Sequence, residues 1–168
     1  MRAPFVAALR LLPLIAGAAV LLLSCGWQPP PAPAQPIAFS HRVHAGDNKI
    51  GCTLCHAYAA AGPVAGIPST ARCNGCHKFV GTDKPGAQIA NKAFEDGKPL
   101  VWNRVYRVPD HVWFTHERHV AAKVKCQECH GEVQTMDVIR QESSLQMGWC
   151  VDCHTQRGAS LDCLTCHK

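Results

Sequence analysis

The feature that most constrains this chain is the pattern Cys-x-x-Cys-His, which occurs five times in 168 residues. The five copies are Cys52/Cys55/His56, Cys73/Cys76/His77, Cys126/Cys129/His130, Cys150/Cys153/His154 and Cys163/Cys166/His167. Two thiols at this spacing can bond both vinyl groups of one porphyrin, and the histidine that follows can bind its iron. Redox dithiols and zinc sites also use Cys-x-x-Cys, but neither needs the fifth-position histidine. We therefore predict five covalently bound haems c.

One cysteine, Cys25, lies outside these motifs. It follows an apolar run at 11–23, which is too short for the roughly 20 residues of a membrane-spanning helix and is typical of a signal peptide. Residues 22–26 read Leu-Leu-Ser-Cys-Gly and resemble a bacterial lipobox, whose cysteine is acylated. We predict a lipoprotein signal peptide at 1–24 and a lipid anchor on Cys25. The alternatives are an ordinary signal peptide with a stray cysteine, and an uncleaved anchor helix.

The predicted mature chain divides into a linker and a haem domain. Residues 25–38 carry the anchor and five prolines, which favour an extended spacer. The domain at 39–168 has too little polypeptide per haem for a large apolar core, so the haems must form much of that core. We predict a fold of short α-helices and loops wrapped round five haems, with almost no sheet. Between the haem motifs, 86–97 predicts a helix and 100–109 an extended segment.

The domain contains an internal repeat. The pattern Phe-Ser/Thr-His-x-x-His occurs at 39–44 and again at 114–119, and each copy precedes two haem motifs. Seven residues separate the pattern from the next cysteine in the first repeat, and six do so in the second. We predict two dihaem modules at 39–80 and 114–154, with a fifth haem at 155–168.

The repeat also predicts the second axial ligands of four irons. Each module opens with two histidines at i and i+3, His41 and His44 in the first and His116 and His119 in the second. At this spacing the two rings share one side of a helical turn but diverge enough to reach different irons. The alternative is surface or helix-capping histidines. Irons with two imidazoles have no open position, which favours electron transfer over catalysis.

The ligand of the fifth iron stays open at this stage. His111 is the only remaining histidine, and its use would give ten histidines for five irons. Met147 is the rival, because a thioether ligand would raise the potential of one haem. A third alternative is an open position.

The charge of the chain does not indicate a nucleic-acid partner. The formal net charge is +5, with 17 basic and 12 acidic side chains, and Arg2 and Arg10 lie in the predicted signal peptide. Ten propionates from five haems would make the mature protein acidic. The sequence contains no basic run interleaved with aromatic residues, so we predict no nucleic-acid binding.

From about Phe39 to His154 the chain resembles the pentahaem cytochrome subunit of alternative complex III, a bacterial quinol:cytochrome c oxidoreductase. The resemblance is carried by Phe-Ser-His-x-x-His-Ala-Gly at 39–46, Ala-Gly-Ile-Pro at 65–68, Gly-Lys-Pro-Leu-Val-Trp at 97–102, Val-Pro-Asp at 108–110 and Ser-Leu-Gln-Met-Gly-Trp-Cys at 144–150. It implies partners that are molybdopterin-oxidoreductase-like and quinol-binding membrane subunits, and an acceptor that is a monohaem cytochrome c or a terminal oxidase.

The N-terminus departs from this family, whose subunit often has a transmembrane helix where this chain has a lipobox. The resemblance implies a place on the periplasmic face of the cytoplasmic membrane, held by the lipid anchor. It also implies an electron-relay subunit with no catalytic site of its own. The alternatives are a free-standing periplasmic electron shuttle, a multihaem reductase with one open iron position, and a zinc-binding scaffold.

Overall fold

The computed structural model of this protein describes residues 26–168. The predicted signal peptide at 1–24 and Cys25 lie outside the described residues. Residues 26–168 form seven short α-helices and no β-strand, which confirms the predicted helix-and-loop fold. The helices are α1 Cys52–Cys55, α2 Thr70–His77, α3 Pro85–Glu95, α4 His116–Ala121, α5 Cys126–His130, α6 Met147–Arg157 and α7 Cys163–Cys166. A π-helix spans Arg42–Asp47, and 3₁₀-helices span Ala57–Ala60 and Val133–Thr135.

Every Cys-x-x-Cys pair lies within one helical turn, in α1, α2, α5, α6 or α7. Residues at i and i+3 of a helix project from the same face, so both thiols of a motif point to the same side. Local signals start and stop these short helices. The Asp162 carboxylate accepts a hydrogen bond from the Leu164 N–H (2.8 Å) at the start of α7, and Gly158 ends α6 in the left-handed conformation with φ 63°.

Helix α3 lies close to its predicted bounds of 86–97. Proline is its first residue, and Gly97 follows its end with φ 65°. The Gly97 N–H donates to the Phe94 carbonyl (3.1 Å) and the Lys98 N–H donates to the Ala93 carbonyl (2.8 Å), which is a Schellman motif. The side chains that α3 buries are Ala87 and Ala90. The apolar face predicted from Ile89, Ala93 and Phe94 is therefore wrong.

The polypeptide of residues 26–168 has a very small apolar core. Its buried apolar side chains are Ile37, Ala87 and Ala90, and Ser143 is its buried polar residue. Three small or medium side chains cannot offset the entropy of ordering a chain of this length. The fold therefore depends on something other than packing between its own side chains. No helix of residues 26–168 is both long and apolar enough to cross a membrane.

The end of the predicted linker packs on the domain. The side chain of Gln35 donates to the Asn103 carbonyl (2.9 Å) and accepts from the Asn103 N–H (3.0 Å), while the Asn103 amide donates to the Ala34 carbonyl (2.6 Å). Ile37 is buried and lies next to Gly86 of α3. Residues 34–38, predicted to be spacer, are thus bound to the domain, and this part of the prediction is corrected.

The two sequence repeats dock through one hydrogen bond that is formed twice. The Arg42 N–H donates to the Met136 carbonyl (2.9 Å), and the Glu117 N–H donates to the Gly62 carbonyl (3.1 Å). Arg42 and Glu117 occupy equivalent positions, each directly after the first histidine of its repeat. Met136 and Gly62 are also equivalent, because each lies six residues after a motif histidine. Each repeat therefore gives the other the same contact that it receives.

Candidate functional site

Each histidine of a Cys-x-x-Cys-His motif lies beside one histidine from outside the motifs, which we call its upstream histidine. The pairs and their ring-centre distances are His41–His56 at 6.4 Å, His44–His77 at 6.0 Å, His116–His130 at 6.3 Å, His119–His154 at 6.1 Å and His111–His167 at 5.6 Å. Two imidazoles on opposite sides of one metal ion have ring centres about 6 Å apart, since each metal–nitrogen bond is about 2 Å long. All ten histidines belong to such a pair.

Most of these rings are oriented by a hydrogen bond from Nδ1 to a backbone carbonyl. Seven of the ten histidines make this contact, at 2.7–3.2 Å: His44, His56, His77, His116, His119, His154 and His167. A carbonyl only accepts, so the proton must sit on Nδ1 and the lone pair on Nε2. An imidazole held in this way is the usual form of a histidine that binds a metal through Nε2.

The upstream histidines of each repeat are held by one phenylalanine. The Phe39 ring lies 4.8 Å from the His41 ring and 4.3 Å from the His44 ring, centre to centre. Phe114 has the same relation to His116 (4.8 Å) and His119 (4.6 Å) in the second repeat. One aromatic ring thus separates the two histidines and directs each towards a different motif.

The fifth pair is brought together by a contact between distant segments. Val112 forms an antiparallel bridge with His167, and the Trp113 N–H donates to the Cys166 carbonyl (2.6 Å). This contact places His111 against the last motif, and the His111 carbonyl accepts from the His167 Nδ1. Met147, the rival ligand, begins helix α6 with 69% of its surface exposed.

Two rings are desolvated strongly enough to remain neutral. Burial, with the nearby rings of His56 and His44, lowers the pKa of His41 to about 4. Burial, with the rings of His116 and His56, lowers the pKa of His130 to about 4. Only the neutral imidazole can bind a metal, so these environments favour the ligating form. The Nδ1 of His41 is buried and has no hydrogen-bond partner among the described residues.

All ten cysteines of the motifs are free thiols. Burial raises the pKa of five of them: Cys55, Cys73, Cys126, Cys129 and Cys150. Residues 26–168 contain no group of three or more His, Cys, Asp or Glu side chains placed to hold a metal ion between them. A haem iron takes four ligands from its porphyrin and needs only two from the protein, which is what each histidine pair supplies. The donor set of these sites therefore fits haem.

The second half of the chain matches a known family. Residues 112–168 match the family described as cytochrome c7 and related cytochrome c. The chain is also 30% identical, over 161 residues, to the menaquinone reductase multiheme cytochrome c subunit of Nitratidesulfovibrio vulgaris (strain Hildenborough), which covers 80% of this chain and 77% of the relative. The chain is a multihaem c-type cytochrome. Its function is electron transfer, and covalent haem c is its cofactor.

The sequence alone could not identify the residues that orient this cytochrome's histidines. Six of the seven Nδ1 acceptors are carbonyls of residues with no distinctive side chain, such as Pro63, Gly66 and Val80. Tyr106 also escaped notice, although its ring lies 4.4 Å from the His130 ring and its hydroxyl accepts from the Glu142 N–H (2.9 Å). Backbone acceptors leave no signal in a sequence, because every residue has the same carbonyl.

Proposed function

We propose that this cytochrome carries five covalent haems c and that both axial ligands of every iron are histidines. The proximal ligands are His56, His77, His130, His154 and His167, and the distal ligands, in the same order, are His41, His44, His116, His119 and His111. The observation that carries the proposal is the spacing of the five pairs, 5.6–6.4 Å between ring centres. The haem iron supplies a one-electron couple between its ferric and ferrous states.

The chain's own residues hold and orient this chemistry. Ten thiols bind the porphyrins, ten imidazoles bind the irons, and the backbone carbonyls fix the ring orientation through Nδ1. With two protein ligands on each iron, no coordination position is left for a substrate. The subunit therefore relays electrons and has no catalytic site of its own.

The partners that we propose are subunits of a membrane complex that acts on quinones. Quinol would be oxidised in a quinol-binding membrane subunit, next to a molybdopterin-oxidoreductase-like subunit, and the electrons would pass to a monohaem cytochrome c or a terminal oxidase. The sequence resemblance to the alternative complex III subunit supports this direction. The name of the relative, menaquinone reductase, supports a link to quinone but favours electron flow towards it. Quinone reduction is thus the second candidate.

The direction of flow can be measured in membranes that contain the complex. If the proposal is right, adding menaquinol should reduce the haems within the mixing time of a stopped-flow experiment. If the second candidate is right, the reduced haems should instead be oxidised by added menaquinone, and menaquinol should leave them ferric. Membranes from a strain without the cytochrome give the background for both reactions.

We also propose that Cys25, after removal of 1–24, is acylated and holds the subunit on the periplasmic face of the cytoplasmic membrane. The lipobox-like residues at 22–26 support this, and several acyl chains on one terminus would bind a membrane firmly. Labelled palmitate should enter the wild-type chain and not the Cys25→Ser variant. Equal labelling of both chains would disprove the anchor.

The haem stoichiometry tests the proposal directly. Mass spectrometry of the matured protein should find the polypeptide heavier by five haem masses, and four or fewer would contradict it. The fifth iron has the sharpest ligand test. His111→Ala should produce one high-spin haem that binds carbon monoxide when reduced, while Met147→Ala, the matched control, should leave every haem low-spin. The reverse result would make Met147 the ligand.

A further inference from the structure

We infer that the five haem-binding motifs are arranged in a single unbranched file, in the order second, first, third, fourth, fifth. The second and fifth motifs then lie at the two ends, where electrons enter and leave, and the first and third lie in the interior. This inference rests on the proposed function, because it takes each histidine pair as a haem site. It does not follow from the order of the motifs along the chain. Four junctions between neighbouring motifs carry it.

The second and first motifs are joined through one helical turn. His44 pairs with the second motif and His41 with the first, and both rings contact Phe39 at 4.3 and 4.8 Å. The two sites served by this turn must therefore be neighbours. The thiols agree, since burial raises the pKa of Cys55 and the nearby Cys76 raises it further.

The first and third motifs meet where the two repeats dock. The segment after the first motif accepts from Glu117, and the segment after the third motif accepts from Arg42, as described above. The Pro63 carbonyl also accepts from the His116 Nδ1 at 2.8 Å, which ties the loop after the first motif to the distal ligand of the third. When two copies exchange the same contacts, they are related by an approximate two-fold axis, and equivalent residues near that axis face each other.

Equivalent residues of the first and third motifs do face each other. Burial raises the pKa of the Cys126 thiol, and the neighbouring Cys52, its equivalent in the first repeat, raises it further. The His130 ring is likewise influenced by the ring of His56, its equivalent. The axis therefore passes between these two motifs, which places the second and fourth motifs outside them on opposite sides.

The third and fourth motifs repeat the geometry of the first and second. The Phe114 ring contacts both His116 and His119, which pair with the third and fourth motifs. The Arg157 guanidinium also donates to the Glu128 carboxylate, so the helix of the fourth motif is tied to that of the third. Burial raises the pKa of Cys129, with Cys153 of the fourth motif as the next cause.

The fifth motif follows the fourth through a short turn. Ser160 joins them, because its carbonyl accepts from the His154 Nδ1 (2.8 Å) and its hydroxyl lies 3.0 Å from the Thr165 hydroxyl. Burial raises the pKa of Cys150, with Cys166 of the fifth motif as the next cause. At the other end of the file, the helix of the second motif packs on α3, which also contacts the segment at 34–38.

The file makes each transfer a one-electron exchange between neighbours. A quinol-handling partner supplies the electron at one end and a cytochrome or oxidase removes it at the other. Each step reduces one ferric iron and returns the previous iron to the ferric state, with no bond formed or broken. The three interior motifs need no contact with either partner.

The order can be measured by pulsed electron paramagnetic resonance (EPR) from a single nitroxide label near the second motif. Thr82 is exposed in the loop after α2, so Thr82→Cys provides the labelling position, and the holoprotein without this change is the labelling control. In each of five further variants, loss of one distal ligand makes one iron high-spin and so identifies it. These are His44→Ala, His41→Ala, His116→Ala, His119→Ala and His111→Ala.

The distance from the label to the high-spin iron should lengthen in the order in which these variants are given, and the dipolar frequency should fall accordingly. Any other order overturns the file. A variant that shows no high-spin signal would instead contradict the ligand pairing of the proposed function, so the two failures are distinguishable.

Wild-type holoprotein gives a second measurement that needs no substitution at a ligand. Fully reduced low-spin haems are diamagnetic, so proton cross-peaks between substituents of neighbouring haems can be observed by NMR. They should connect the second with the first haem, the first with the third, the third with the fourth and the fourth with the fifth. Cross-peaks between the second and third haems, or between the first and fifth, would overturn the order.

Discussion

In each repeat, the pair formed by the first upstream histidine differs from the pair formed by the second. We call the former the inner pairs and the latter the outer pairs: His41–His56 and His116–His130 are inner, and His44–His77 and His119–His154 are outer. The ring planes of the inner pairs lie only 3° and 10° apart, whereas those of the outer pairs lie 65° and 46° apart. Two repeats of one sequence pattern thus contain the same two kinds of site.

The inner and outer pairs also differ in their hydrogen bonds. Both rings of each outer pair donate from Nδ1 to a carbonyl. In each inner pair only one ring does so among the described residues, His56 to Gly66 (2.7 Å) in the first repeat and His116 to Pro63 (2.8 Å) in the second. The outer rings are therefore fixed more fully by the backbone.

The difference follows from the position of each histidine in its turn. His44 and His119 lie four residues after Ser40 and Thr115, whose carbonyls accept from their Nδ1 atoms at 2.8 Å. His41 and His116 begin the turn and have no such carbonyl behind them. His116 uses Pro63 of the other repeat. The outer pairs are thus oriented by local structure, and the inner pairs depend on the docking of the two repeats.

The largest expected effect is on the protein without haem, where neither kind of pair should persist. With Ile37, Ala87 and Ala90 as the buried apolar side chains of residues 26–168, conformational entropy should exceed the stabilisation from burial. Protein made with haem attachment blocked should be digested rapidly and show no cooperative transition in calorimetry, while holoprotein should resist the protease. A sharp transition in the apoprotein would mean that the polypeptide alone imposes the inner and outer geometry.

A second expectation separates docking from local structure. Gly46 lies where the π-helix meets the 3₁₀-helix Val133–Thr135, and a Cβ there would overlap the Gln134 carbonyl oxygen. Gly46→Ala should push the repeats apart at the inner pairs, with a loss of stability of about 1–3 kcal/mol. Chemical denaturation of the holoprotein would measure this loss.

The matched control for Gly46→Ala is Ala121→Gly, because Ala121 is the equivalent residue of the second repeat and lies in α4. The control should cost only about 1 kcal/mol, through lower helix propensity, and should leave the docking intact. EPR signals of the inner haems should change in the first variant and not in the second. Equal losses in both variants, with unchanged spectra, would show that the inner pairs do not depend on docking.

Local features of this fold could be predicted from the sequence, because neighbouring residues cause them. The motif spacing predicted which cysteines share a helical turn, and the i, i+3 histidines predicted two rings that diverge. The extra residue of the first repeat was also visible, but not its consequence. It is accommodated as the π-helix Arg42–Asp47, whereas the second repeat forms the α-helix His116–Ala121. Both turns end at a lysine with positive φ, Lys49 at 53° and Lys123 at 59°.

Contacts between distant segments could not be predicted. His111 comes to the last motif through the bridge of Val112 with His167, 55 positions away, and no sequence pattern connects the two. The docking of Gln35 on Asn103 likewise depends on an amide and a backbone amide group that could have met many partners. The partner of each upstream histidine was open for the same reason, since i, i+3 spacing separates two rings without saying which motif either will meet.

A smaller but diagnostic effect is expected in the EPR spectrum of the oxidised protein. When two axial imidazole planes are parallel, they act on the same iron d orbital and give a rhombic low-spin signal. When the planes are strongly rotated, two d orbitals remain close in energy and one very large g value results. The outer pairs should give the large-g signals and the inner pairs the rhombic ones. The His111–His167 pair, at 20°, should join the inner group.

Single substitutions assign these signals. His44→Ala should remove a large-g signal and leave the rhombic ones, whereas His41→Ala should remove a rhombic signal and leave the large-g ones. If His44→Ala removes a rhombic signal, the ring orientations in solution differ from those of the structure and the comparison of inner with outer pairs fails.

The smallest expected effect is on reduction potential. An imidazole that donates from Nδ1 to a carbonyl becomes a more basic ligand, which stabilises the ferric state. Each outer pair has one such hydrogen bond more than each inner pair. A hydrogen bond contributes about 1 kcal/mol, which corresponds to roughly 40 mV for one electron, so the outer haems should have potentials lower by up to about that amount. In a reductive titration followed by EPR, the large-g signals should therefore persist to lower potential than the rhombic signals. Rhombic signals that outlast the large-g ones would mean that interactions between neighbouring haems outweigh this hydrogen bond.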